Sequence, residues 1–125
     1  NVNYRTILEG DTSFIHFKGA LTENYIMTQL KCLGVESYFW RTKADAEIDF
    51  ISDHEGILLP IEVKSADNTK AKSLHMFCNR YQPKMAVKTS LKNVGDNMDG
   101  DTHVWSIPLY MIYRLKEYVA YEMGW

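Results

Sequence analysis

At 125 residues the chain has the length of one domain, and it can bury a core without a disulfide or metal staple. It is 46% hydrophobic and 24% charged, with no apolar run near the ~18 residues of a membrane span and no visible signal peptide, so the reading is a cytoplasmic protein with no membrane contact. A net charge of −2 argues against a general nucleic-acid binder, but residues 64–92 carry seven basic side chains against the single acid Asp67, a local stretch that could face phosphate or simply water.

The chain is read as a single domain over 1–125 that begins Asn1-Val2-Asn3-Tyr4 without a methionine, as a piece of a longer protein would. Residues 1–17 lack periodicity and read as a lead-in, with a turn at Gly10-Asp11-Thr12. From Lys18 to Leu33 apolar residues fall on two helical stripes, which predicts a helix covered on much of its circumference, ended by Gly34. Three strands follow, at Ser37–Arg41, Glu47–Ile51 and Ile57–Lys64. The connections are short, so the three should form an antiparallel meander, although Pro60 sits inside the third. A helix over Lys70–Tyr81 then leads to a strand at Met85–Thr89, a crossover that makes this strand parallel to its neighbour. Lys92–Thr102 reads as a polar loop, His103–Ile107 as a last strand, and Pro108 as the first residue of a closing helix that runs to Met123. The order is α-β-β-β-α-β-β-α: an α/β fold with a central mixed sheet of four or five strands flanked by helices.

The third strand carries the chemistry. Glu62 and Lys64 share one face while Ile61 and Val63 take the other. Charge on so apolar a strand must be hydrated, paired or metal-bound. A meander would set Asp49 beside Glu62, provided the register does not slip by one residue. Two carboxylates ~4 Å apart repel by about 4 kcal/mol at an effective dielectric of about 20. Such a pair persists when a cation lies between them or one acid keeps its proton. Mg2+ or Mn2+ suits such oxygen ligands, and Lys64 could orient or deprotonate a water. An exposed ion pair on a solvated sheet face is the plainer alternative. Of the remaining candidates, Lys70, Lys72 and Ser73 open a helix whose amides favour anions, and Arg41 lies at the sheet end; these four are the expected DNA-phosphate contacts. His16, His54, His75 and His103 show no metal-ligand spacing, and His54 reads as a surface residue in a hairpin turn. Cys32 and Cys78 read as reduced core residues.

Asp49 on one strand, a hairpin, then Glu62-Val63-Lys64 resembles the PD-(D/E)XK superfamily of metal-dependent nucleases, whose proline is replaced here by Ile48. Phe17–Asn24, Tyr38–Lys43, Ala46–Phe50, Pro60–Ser65 and Ile107–Tyr110 are, more narrowly, similar to a domain of unknown function found C-terminal to an AAA-type ATPase module in bacterial and archaeal proteins. That resemblance implies a restriction-endonuclease-like fold. It makes Glu23, Asp49 and Glu62 the acids of a Mg2+ (or Mn2+) site and Lys64 the catalytic lysine. It further implies phosphodiester hydrolysis of DNA beside an ATPase domain of the same full-length protein, or a silent module docking nucleic acid or protein for that ATPase. No glycine-rich phosphate loop is present, so an ATPase motor would lie outside this chain.

Overall fold

A computed structural model describes residues 12–43, 46–63, 71–90 and 93–125; over 12–19 and at Ala71 only the backbone is described. Helix α1 (Thr12–Cys32) leads into a meander of β1 (Glu36–Arg41), β2 (Glu47–His54) and β3 (Ile57–Val63). Helix α2 (Ala71–Tyr81) crosses over to β4 (Met85–Ser90), followed by β5 (Gly95–Asp99) and β6 (Thr102–Pro108). A 3-10 helix (Leu109–Arg114) and helix α3 (Leu115–Met123) close the described chain. The strands form one six-stranded mixed sheet in the order β1-β2-β3-β4-β6-β5. The β1–β2, β2–β3 and β5–β6 pairs are antiparallel, and β3–β4 and β4–β6 are parallel.

Alternation along the strands feeds two cores. On one face Phe50, Leu59, Ile61, Val87 and Ile107 meet Ile26 and Leu30 of α1, Ile112 of the 3-10 helix, and Leu115 and Val119 of α3. On the other face Ile48, Ile51, Ala86 and Val104 meet Leu74, Phe77 and Cys78 of α2. Helices therefore cover both sides of the sheet, as parallel pairing requires. The β2–β3 hairpin turns through Glu55 and Gly56, both at positive φ (55° and 89°), the pairing that suits a two-residue loop. Asp53 reinforces the turn by accepting the Gly56 N–H at 2.8 Å. Gly34, at φ 70°, ends α1 as its position predicts. Pro60 precedes the three residues of β3 that pair with β4, so a proline is accommodated in this interior strand. Among the described residues no helix is long and apolar enough to cross a membrane.

Several expectations need correction. The stretch read as a polar loop contains β5, which makes the sheet six-stranded. An edge strand of Gly, Asp and Asn buries little, so it lacks the apolar alternation that betrays a strand. Pro108 does not open an α-helix: it ends β6, and a 3-10 helix intervenes before α3. Helix α1 starts at Thr12, inside the supposed lead-in, and buries Ile26 and Leu30 while Leu21, Tyr25 and Met27 stay exposed. Cys32 is exposed, whereas Cys78 is buried, which pushes its thiol up to about 11. His54 is only 5% exposed: it is the last residue of β2 and not part of the turn, and its Nε2 lies 2.8 Å from Ser52 Oγ.

At the far edge of the sheet two carboxylates flank a histidine. His103 on β6 points Nε2 at Asp96 of β5, 2.7 Å away, and Nδ1 at Glu122 of α3. Trp105 Nε1 donates to the same Glu122 oxygen at 2.8 Å. Both ring nitrogens face carboxylates, so the imidazolium is favoured and its pKa rises, first through the Asp96 hydrogen bond and then, against some opposing burial, through Glu122. A histidine with a raised folded pKa stabilises fully below its unfolded value of about 6.5, and that contribution disappears as pH climbs through the folded pKa. The melting temperature should therefore decline as pH rises from about 6.5 towards 9. In His103→Gln the decline over this window should flatten; an unchanged pH profile would remove His103 from the account.

Candidate functional site

The site is set by an irregularity in β2. Tyr38 pairs with Ile51 and Trp40 with Ile48, so Asp49 and Phe50 together stand opposite Phe39. This is a β-bulge, and it breaks the strict alternation of faces. Ile48 and Ile51 both enter the core under α2 although three positions separate them, while Phe50 enters the core under α1. Asp49 is exposed and lies on the α1 side, beside Met27 and near enough to Glu23 for its charge to act on that carboxyl.

Glu23 projects from α1 one turn before the buried Ile26. Partial burial raises its pKa first; the charge of Asp49, the hydrogen bond to Asp49 and the charge of Glu47 raise it further. Each of these influences disfavours the charged form of Glu23 beside Asp49. The sign follows directly. An acid whose folded pKa is raised stabilises the fold while protonated and loses that contribution as pH rises through the folded pKa. Without added metal at pH 7, Glu23→Gln should therefore melt higher, by roughly 1–3 °C, since exposed charge pairs are worth about 0.2–1 kcal/mol. Its amide can still donate to Asp49. A melting temperature below that of the wild type would mean the two acids do not burden each other.

Glu62 is placed elsewhere. The β2–β3 register pairs Phe50 with Ile61, and one further step sets Asp49 across from Glu62 along the strands. Their side chains nevertheless leave the sheet on opposite sides. Leu59, Ile61 and Val63 belong to the α1 side, so Glu62, only 8% exposed, belongs to the α2 side, where its charge acts on the Cys78 thiol. Lys88 of β4 is its register partner and acts on the same thiol. Sequence reading missed Lys88; the signal was a lysine inside the apolar run Met85-Ala86-Val87-Lys88. The bulge thus overturns the expectation that Asp49 and Glu62 share a face. Among the described residues no three His, Cys, Asp or Glu side chains gather as a metal set. Lys64 lies outside the described residues.

The expected phosphate contacts also divide. Lys72 is exposed in the first turn of α2, and Lys70 lies outside the described residues. Ser73 is no surface contact: it is buried, and its Oγ accepts the Glu47 backbone N–H at 3.2 Å, tying α2 to the start of β2. Arg41 is exposed, 3.4 Å from Glu47, with its guanidinium 5.9 Å from the centre of the Phe39 ring. Trp40, beside it, packs edge-on against Phe77 at 5.3 Å between ring centres and donates to Tyr81.

A family model described as Domain of unknown function (DUF4143) matches residues 18–111, well over half of the chain, from within α1 into the 3-10 helix. No curated protein and no solved structure matches the chain.

Proposed function

This chain belongs to the DUF4143 family, and for it we propose a restriction-endonuclease-like fold of the PD-(D/E)XK type and divalent-metal-dependent phosphodiester hydrolysis of DNA, beside an ATPase module of the same full-length protein. The observation that carries this reading is the placement of two carboxyls from different elements, Asp49 at the β2 bulge and Glu23 on α1, near enough that the Asp49 charge raises the Glu23 pKa, an arrangement that a cation would relieve. The donor set fits a hard ion: Mg2+ is commonly held by only one or two carboxylates, its waters and a substrate phosphate. Such an ion supplies Lewis-acid polarisation of a phosphoryl oxygen and lowers the pKa of water.

The chain's own residues divide the remaining work. Glu23 and Asp49 orient the site from α1 and from the β2 bulge. Arg41, exposed and close to Glu47, is the phosphate contact on hand; Lys72, also exposed, stands on α2 across the sheet. A second reading, a catalytically silent module that binds nucleic acid or protein for the ATPase, is favoured by the position of Glu62 on the opposite side of the sheet. Supercoiled, branched and single-stranded DNA incubated with Mg2+ or Mn2+ decides between them. Cleavage is expected; intact DNA under every condition would leave the silent module.

A further inference from the structure

The sheet edge next to the carboxyl pair has a feature that a duplex-cutting site would not use. Asp49 shares a cavity of about 430 Å³ with Met27, Ser37, Tyr38, Phe39 and Phe50. The bulge sets Phe39 directly across from Asp49 and Phe50, and its ring is 70% exposed on an edge strand. An aromatic ring so open to water gains nothing for the fold. Beside it lies Met27 of α1, 42% exposed, whose thioether can pack against a planar base. Arg41, close to the Phe39 ring, forms an exposed pair with Glu47 that costs little to exchange for a phosphate.

We infer that this groove receives an unpaired nucleobase, so that the substrate class is single-stranded DNA or a single-stranded segment. In a duplex the base faces are stacked and only backbone and groove edges are presented, which leaves Phe39 without a partner. A single strand can lay a base on the ring and bring the adjoining phosphate to Asp49 and Glu23. The inference deepens the nuclease reading and depends on it for the meaning of the carboxyl pair. The acids around the groove, Glu23, Glu36, Glu47 and Asp49, would repel DNA unless divalent cations are present.

The test is fluorescence anisotropy in Ca2+ with a labelled ~20-nucleotide oligothymidylate and a duplex of equal length. The proteins are wild type, Phe39→Ala and, as a control on another surface, Tyr121→Ala. Stacking on one aromatic ring is worth about 5- to 100-fold in affinity. Wild type should prefer the single strand, Phe39→Ala should lose that preference with duplex affinity unchanged, and Tyr121→Ala should behave as wild type. Equal affinity for both DNAs, or full retention by Phe39→Ala, overturns the groove. Parallel incubations with Mg2+ separate the two ideas. Cleavage without strand preference sinks the groove and spares the nuclease. Strand-selective, Phe39-dependent binding with no cleavage sinks the nuclease and spares the groove as a binding site.

Discussion

Asp49→Ala should abolish metal-dependent cleavage, lowering the rate by ~100-fold or more, while leaving the fold intact. The size follows from the side chain's place. Even groups that only orient a metal's ligands are worth about 10- to 100-fold, and Asp49 would be a ligand itself. The fold should survive because Asp49 is exposed at a bulge and burdens Glu23. Removing it in metal-free buffer should leave the melting temperature level or slightly raised. With Mg2+ the order should reverse. A ligand at about a hundred times its Kd stabilises by about 2.7 kcal/mol, and only the wild type should receive this. Two measurements therefore read one site: cleavage of DNA, and the Mg2+-induced shift in melting temperature. Loss of both in Asp49→Ala is the expected result. Cleavage that survives the substitution would belong to a contaminant or to another part of the chain. An equal Mg2+ shift in both proteins would put the cation elsewhere.

The legible parts of this protein were those governed by local rules. The Glu55-Gly56 hairpin, the Gly34 stop and the crossover from β3 to β4 each follow from turn chemistry or from connection length, and each is found. The β5 edge was not legible, because a strand that buries neither face need not alternate. The candidate site failed to be legible for a sharper reason. Assigning Asp49 to the face of Glu62 assumed unbroken pleating from Glu47 to Ile51. One extra residue opposite Phe39 inverts that assignment, and nothing in Glu-Ile-Asp-Phe-Ile marks where a bulge falls. Glu23 came instead from the resemblance, which places an acid on the preceding helix, and the Asp49 charge does act on it. Ser73 illustrates the same limit from the other side. A polar residue at a helix start looks available for an anion, but tertiary packing has already given its hydroxyl to the Glu47 amide.

Ile61→Ala tests the division of faces through stability. Ile61 is wholly buried, pairs with Phe50 on β2 and with Val87 on β4, and lies in the core under α1. Truncation would leave a cavity at the middle of the sheet, where rigid neighbours on both sides limit collapse. Buried Ile-to-Ala changes cost about 2–5 kcal/mol, a large share of the 5–15 kcal/mol typical of a whole domain. For a domain of this size that is a drop of roughly 10–20 °C in melting temperature. Leu58→Ala, on the same strand but half exposed, should stay within about 0.5 kcal/mol of wild type. Chemical denaturation of the two variants gives the comparison directly. A mild Ile61→Ala beside a severe Leu58→Ala would mean that β3 is flipped. Glu62 would then emerge on the α1 side with Asp49, and the bulge would no longer separate the acids.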